Sequence, residues 1–549
     1  MSYTVTDYLL DRLAEAGVDR LFGVPGDFTL AMLDHVEEHP TIDWVGCGNE
    51  LGAGYAADGY ARVRGLGAVC TTFGVGELSA LNAVAGAYAE HVPLLHIVGA
   101  PTIAVQAAAR ATHHSLGDGD FRRFARMTAE VTAVQAILGA DDAEASIDRV
   151  IAEVRERRRP GYLLIPADVA AGPATPPSAP LPVRTGVTDP NQLAEFTAAA
   201  RAVLAEAARP ALIADVLVER MGGQARLDAL LATGIPHATL LWGRHVVDET
   251  APGFLGTYIG AASPPPLLEA IDGADALVLA GVQFTELTSG FFSQRFGTAN
   301  VIDVGPRGCA IGGRRFAPIA LPDGLAALDG LIPGPAGPQP APRPGVGPLP
   351  TGDRVLTQES LWDAVALRLQ PGDLVLADQG TPFFGMAAHP LPDDVLCIGQ
   401  PLWASIGYTM GAGLGAALGA PERRPLVLIG DGAAQLTVAE LGTMARYGVP
   451  ATVILVDNAG YTIERSIHGP HADYNGIQPW DWSALPVALG GSAARGVRVT
   501  TVGELDAALA DAGDGLLLIQ AVVEPLDVPE LLAAISEQAA AQNTAPPSH

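Results

Sequence analysis

Short, continuous apolar runs recur along the chain and alternate with longer alanine-rich stretches of helical period. Ala68 to Phe73, Leu94 to Val98, Tyr162 to Ile165, Ala211 to Ala214, Ala276 to Ala280, Asn300 to Val304, Leu374 to Ala377 and Leu516 to Val522 are of strand length. Leu426 to Ile429 and Thr452 to Val456 read as further strands, each running into a turn, and Leu21 to Asp27 reads as a strand ending in one. Alternation of this kind predicts an α/β protein of three doubly wound domains with mainly parallel sheets. The first helix is expected to be capped by Thr6 and to bury Leu9, Leu10 and Leu13. Two proline-rich stretches, AGPATPPSAPLPVRTGVTDP from Ala171 to Pro190 and PGPAGPQPAPRPGVGPLP from Pro333 to Pro350, cannot continue a helix or a central strand. They suit extended linkers at 171–190 and 333–353, separating domains at 1–180, 190–335 and 355–549. No short-period repeat is present.

Composition narrows the function classes. At 549 residues the chain is too long for one core, and 49% apolar residues are ample for buried sheets. No apolar run reaches the roughly 18 residues of a membrane span, and no basic-then-apolar leader opens the chain, so a cytoplasmic location is expected. Sixty acidic against 32 basic side chains give a net charge of −28, which opposes binding to nucleic acid or to an anionic membrane. Cys47, Cys70, Cys309 and Cys397 are widely separated with no CxxC spacing, and are expected to be buried free thiols.

The candidate chemistry starts at Gly430-Asp431-Gly432, which follows one strand, and at Asn458, 27 residues after the aspartate, which ends the next. Ligands gather at the carboxyl ends of parallel strands, so Asp431 and Asn458 could converge on one hard cation, with glycines admitting a diphosphate. Gly-Asp-Gly alone is more often an ordinary turn; order and spacing together are more specific. Asp27 stands beyond the strand at Leu21, where such domains present functional groups. Glu50 opens a small-residue helix expected to be largely buried, where an unpaired carboxylate is costly and a cofactor nitrogen would be a fitting partner. The glycines of Gly411-Ala412-Gly413-Leu414-Gly415 suit close helix packing rather than phosphate contact, and Ala280-Gly281-Val282 lacks a full GxGxxG.

The paired elements resemble the diphosphate motif of thiamine diphosphate enzymes, a Gly-Asp-Gly followed some 30 residues on by Asn-Asn, with Asp457 standing at the first Asn. Longer runs, including FGVPGDF, NELGAGYAADGYAR, HHSLGDGDF, GQPLWASIGYTMGAGLGAAL and VDNAGYTIERSIHGP, look like the pyruvate, indolepyruvate and branched-chain 2-oxo acid decarboxylase family. The resemblance covers both outer thirds and is looser in the middle. It implies the thiamine diphosphate-binding fold, with a pyrimidine-binding first domain and a diphosphate-binding third domain. Mg²⁺ would be held by Asp431, Asn458 and the carbonyl of Gly460. Glu50 would bond the pyrimidine N1′, the Ala404 carbonyl would accept from N4′, and Ile406 would be the apolar wedge between the rings. Gly432, Ala433, Tyr461, Thr462 and Thr381 complete the implied cofactor contacts. No FAD is expected in the middle domain.

In that family, loss of CO2 leaves an enamine that must be protonated before an aldehyde departs. Asp27, His113, His114 and Glu464 match the proton-handling set, and histidine suits proton exchange near pH 7. A His-His pair alone is more often a surface loop. The resemblance also implies a homodimer or homotetramer in which Asp27, Glu50, His113 and His114 come from one chain and Asp431, Asn458, Gly460 and Glu464 from its partner. Thr288, Phe383, Ile463 and Ile535 align with the substrate pocket. Gln379-Gly380-Thr381 looks like the indolepyruvate and branched-chain members, whereas the bulk of Ile463 favours smaller acids. Aromatic or branched 2-oxo acids are the expected substrates, with pyruvate as the alternative. An acetolactate-synthase-like carboligase, a lipoamide-linked dehydrogenase subunit and a non-enzymatic scaffold fit the residue set less well. The run from Ala539 to His549 is expected to be disordered or to help close the site.

Overall fold

The computed structural model describes residues 3–183, 186–333, 346–349 and 352–544. Among them are three sheets. The first comprises β1 (Arg20–Gly23), β2 (Asp43–Gly46), β3 (Gly67–Thr72), β4 (Leu94–Ala100), β5 (Val134–Ile137) and β6 (Gly161–Pro166), in the order β2-β1-β3-β4-β6-β5. The second comprises β7 (Pro210–Ala214), β8 (His237–Thr239), β9 (Phe254–Thr257), β10 (Ala276–Ala280), β11 (Val301–Gly305), β12 (Gly308–Ile311) and β13 (Arg314–Phe316). Its order is β13-β12-β11-β10-β7-β8-β9. The third comprises β14 (Asp373–Ala377), β15 (Leu396–Ile398), β16 (Arg424–Gly430), β17 (Thr452–Asp457), β18 (Ala494–Val499) and β19 (Leu516–Val522), ordered β15-β14-β16-β17-β19-β18. Pairing is parallel except where β12 turns back on β11 and β13 on β12. Counted within its own domain, the third sheet repeats the strand order of the first.

The central strands are mostly apolar because helices cover both faces; β3, β4 and β6 are buried at every residue. The outer domains meet along the helices Glu50–Arg64 and Tyr408–Gly419. Glycine makes the approach possible: a Cβ on Gly415 would lie 1.7 Å from the Ala56 carbonyl oxygen, and one on Gly59 would lie 2.1 Å from that of Ala412. The Gly411–Gly415 run lies within its helix and serves close helix packing, as expected. Residues from both outer domains, such as Tyr55, Ala56, Tyr408 and Leu414, form one continuous apolar core.

Two local expectations change. The first helix runs Val5–Glu15 and is capped by Thr4, not Thr6, because Asp7 completes a reciprocal capping box with Thr4. The Thr6 hydroxyl instead reaches the Ala170 carbonyl at 3.0 Å. Leu9, Leu10 and Leu13 are buried as expected. All four cysteines are free, but only Cys70 and Cys309 are buried; Cys47 and Cys397 are half-buried. The described part of the first proline-rich stretch carries no helix or strand from 172 to 189, and most of the second lies outside the described residues. Among the described residues no helix is long and apolar enough to cross a membrane.

Candidate active site

Strands β16 and β17 are neighbours, so their carboxyl ends bring Asp431 and Asn458 together. Asp431 opens the helix Asp431–Thr437, so Gly-Asp-Gly is a strand-to-helix junction rather than a free turn. Both side chains are almost wholly buried, at 1% and 3% exposure. The Asp431 carboxylate accepts from the N–H of Gly432 at 2.6 Å and of Gly460 at 3.1 Å. Burial lifts its pKa to about 7, against the pull of the Gly432 N–H, and nearby Asp457 pushes the same way as burial.

The oxygens here have the spacing of a cation's coordination shell. One terminal atom of the Asn458 amide lies 3.2 Å from Asp431 Oδ1 and 2.8 Å from the Gly460 carbonyl oxygen, and the other lies 2.9 Å from Thr462 Oγ1. Without a cation, the amide would turn its NH₂ toward these two acceptors. With one, its oxygen belongs there, and neighbouring ligands of an octahedral ion at about 2.1 Å stand roughly 2.9 Å apart. Thr462 fits the second case: its hydroxyl donates to the Pro525 carbonyl at 2.9 Å, leaving a lone pair for the Asn458 NH₂. Three oxygens, one of them anionic, fit Mg²⁺ with positions left for phosphate and water. The ring of Tyr461 lies against Gly432, where a Cβ would come within 2.5 Å of it, and Ala433 is buried one residue on.

The turn holding Ala404 and Ile406 is stitched to this junction from two sides. Asp378, 1% exposed, accepts from Gly407 N at 3.1 Å, Thr409 N at 3.0 Å and Thr409 Oγ1 at 2.8 Å. Thr437, from the Asp431 helix, donates to the Gly407 carbonyl at 2.7 Å. Ala404 is held at φ +55°, a left-handed conformation that aims its carbonyl out of the regular chain path. Ile406 is half-buried against the shared core, and Thr381, buried, starts the helix after β14.

The first domain contributes a more open group. His113 Nε2 lies 2.8 Å from Asp27 Oδ2, the two imidazole centroids are 4.5 Å apart, and Phe28 stacks on His113 at 5.0 Å. The ligand atoms of Asp27, His113 and His114 all lie within 4.8 Å of one another, close enough to share a proton or a cation. The pair is braced from behind. His114 adopts φ +64°, and its carbonyl oxygen occupies the space a Cβ on Gly74 would need, 1.8 Å away. Gly74 N–H donates to Glu77 at 2.8 Å, and Glu77 also accepts from Tyr162 OH at 2.7 Å. Glu77 is fully buried, which lifts its carboxyl to about 7. Glu50, half-buried at its helix start, lies beside Gly76, and among the described residues its carboxylate has no hydrogen-bond or ion-pair partner. Glu464 is exposed on the helix Thr462–Ile467. Among the described residues no hydrogen bond joins Asp27, Glu50, His113 or His114 to Asp431, Asn458, Gly460 or Glu464.

Phe383, Ile535 and the partly buried Ile463 share one apolar cluster with Leu287 and Phe291 of the middle domain. The helix Glu530–Thr544 forms its wall, packing on the helices that carry Phe383 and Ile463. The stretch from Ala539 is thus helical to Thr544, and 545–549 lie outside the described residues. Thr288 is fully buried, its hydroxyl closed on Thr285 at 3.0 Å. Sequence pattern does not single out Asp378, Thr437, Arg465 or Glu77, because each acts at least in part on backbone atoms; a buried-position acid at a strand end was the one available signal, for Asp378.

Comparison with known proteins bears directly on this arrangement. Residues 3–120 match the N-terminal TPP-binding domain of thiamine pyrophosphate enzymes, 197–325 their central domain and 384–521 their C-terminal TPP-binding domain. The class is therefore that of enzymes built around thiamine diphosphate, and the oxygen cluster at Asp431 is chemically suited to its diphosphate end. The chain is 53% identical over 540 residues to the alpha-keto-acid decarboxylase of Mycolicibacterium paratuberculosis, covering 97% of this chain and 96% of that one. It is 53% identical over the same shares to that of Mycobacterium avium, and 52% identical over 538 residues, 96% of each chain, to that of Mycobacterium tuberculosis. The chain belongs to the thiamine diphosphate-dependent alpha-keto-acid decarboxylases.

Proposed function

We propose that the protein converts aromatic or branched-chain 2-oxo acids, such as indolepyruvate, phenylpyruvate or 2-oxoisovalerate, to the aldehyde and CO2. The observation that carries the substrate class is the apolar wall of Phe383, Ile463 and Ile535, which starts three residues from Gly460 and would receive a hydrophobic side chain. Thiamine diphosphate, when bound, supplies the carbon nucleophile and the sink for the electrons released with CO2. Asp431, Asn458 and the Gly460 carbonyl would hold Mg²⁺, and Gly432, Ala433, Tyr461, Thr462 and Thr381 would line the diphosphate and thiazolium end. Glu50 would bond the pyrimidine, the Ala404 carbonyl would accept from its amine, and Ile406 would be the apolar support beneath the rings. Asp27, His113, His114 and Glu464 hold and deliver the proton that replaces the carboxylate. Thr288 supports the far wall of the substrate pocket.

A homodimer, or a homotetramer made of two such dimers, completes each site, with Asp27, Glu50, His113 and His114 from one copy and Asp431, Asn458, Gly460 and Glu464 from another. The unpartnered Glu50 supports this, as does exposed apolar surface on both halves, including Leu116 at 64%, Leu436 at 52% and Tyr474 at 67%. Four free thiols fit a cytoplasmic setting.

The test is free aldehyde, measured by coupled alcohol dehydrogenase, from the three acids above and from pyruvate, in the presence of thiamine diphosphate and Mg²⁺. Aromatic or branched acids should lead in kcat/KM. Pyruvate in first place overturns the substrate class, and acetolactate-like products in place of aldehyde make the protein a carboligase.

A further inference from the structure

Arg465 is the fourth residue of the helix Thr462–Ile467, where an arginine ordinarily reaches water or a carboxylate. It does neither. Glu524, Asp527 and Asp473 line the same cavity of about 550 Å³, yet among the described residues Arg465 forms no ion pair. Its guanidinium turns back onto backbone carbonyls, donating through Nη1 to Asn458 O at 2.9 Å and through Nη2 to Ala459 O at 2.6 Å and Asn475 O at 3.1 Å.

Those three carbonyls surround the turn that presents Gly460. Ala459 stands at φ +58°, a left-handed conformation that a residue with a Cβ resists, and it is exposed, so packing does not enforce it. The backbone at Gly460 lies flat against Asn475: a Cβ there would meet Asn475 O at 2.1 Å and Arg465 Nη2 at 3.1 Å, and Tyr461 N–H donates to the same oxygen at 2.9 Å. The carbonyls of Asn458, Ala459 and Asn475 thus face the guanidinium, while that of Gly460 turns to the other side, 2.8 Å from the Asn458 amide and accepting from Thr462 N–H at 3.2 Å.

We propose that Arg465 is the positioning residue of the cation site, a fork that holds Ala459 left-handed and sorts the turn's carbonyls so that only that of Gly460 is delivered to the metal. The inference rests on the reading of Asp431, Asn458 and Gly460 as the Mg²⁺ site. The planar fork spans several acceptors at once, which a lysine ammonium on its flexible stem does not reproduce. The strained alanine makes the role separable from general packing. Glycine at 459 adopts the left-handed turn freely, so it should make the fork dispensable.

The experiment titrates Mg²⁺ into full-length protein with excess thiamine diphosphate, followed by calorimetry, for the wild type, R465Q, R465K, A459G, A459G/R465Q and D431A, with the melting temperature of each cofactor-free protein recorded. R465Q and R465K should weaken Mg²⁺-dependent binding by about 10–100-fold, the range for groups that orient metal ligands. A459G should bind like the wild type, and A459G/R465Q should recover most of the loss. Wild-type affinity in R465Q overturns the proposal, and so does a double variant as weak as R465Q. A melting temperature that falls with R465Q and is not restored by A459G marks a packing role and also overturns it. D431A separates the two readings: if it binds Mg²⁺ as the wild type does, the site itself is misassigned, whereas its loss beside an unaffected R465Q removes only the fork.

Discussion

The outer domains share one strand order, yet their carboxyl-end surfaces differ. In the third domain the chemistry is enclosed: Asp431 is 1% exposed, and the turns around it are tied by Asp378, Thr437 and Arg465. In the first domain it is open, with the side chains of Asp27 and His113 at 48% and 56% exposure. A cation site needs fixed oxygens at set distances, which burial and backbone ties provide within one chain. Proton carriers need access and a pKa near neutrality, and in the proposed assembly a second copy supplies their cover. The same topology can thus be finished as an anchor or as a tool, depending on whether its end turns are tied to themselves.

The contrast can be broken most sharply at Glu50. Glu50→Gln should lower turnover by about 10²–10⁴-fold while leaving Mg²⁺-dependent cofactor binding within a few-fold of the wild type; turnover like the parent's would refute the role given to the open half. Asp431→Ala should do the reverse, weakening cofactor retention by at least about 100-fold, a loss read by calorimetry. Gly415→Ala tests the seam joining the halves. Its methyl would sit 1.7 Å from the Ala56 carbonyl oxygen, and a loss of about 1–3 kcal/mol in urea unfolding is expected.

The most local effect concerns Glu77, behind His114, and shows only as pH rises. Its folded carboxyl titrates at about 7, against 4.5 for an ordinary glutamate. The folded protein therefore keeps a proton that the unfolded chain releases as pH rises from about 4.5 to 7, and stability falls across that window and stays lower above it. Glu77→Gln, whose amide can still accept from Gly74 and donate to Tyr162 Oη, should be more stable than the parent at pH 8 by up to about 3 kcal/mol, with little difference at pH 4.5. Urea unfolding at the two pH values checks both sign and window.

What was legible in the sequence follows burial. β10 and β19 coincide with the apolar runs Ala276–Ala280 and Leu516–Val522, and the other interior strands of the outer sheets were marked the same way. The edges were not. β2 carries Asp43 on its exposed side, β18 reads Ala-Arg-Gly-Val-Arg-Val, and β13 opens on two exposed arginines, so none forms a continuous apolar run. At the candidate site, Asp431 and Asn458 were legible because each ends an apolar strand in a set order. Asp378 and Arg465 bond to backbone from segments up to 31 residues away, and backbone partners leave no trace in side-chain pattern.

The glycine seam between Glu50–Arg64 and Tyr408–Gly419 also bears on how the chain comes off the ribosome. Gly59 finds its neighbour in Ala412, so the first domain emerges with one side of its core uncovered and waits for more than half of the sequence to be made. Contacts of such separation close late and leave apolar surface open to wrong partners meanwhile. The nascent first domain is therefore expected to be a client of holding chaperones until the third domain arrives, and a gene truncated before residue 408 should yield a protein that aggregates rather than a smaller working unit.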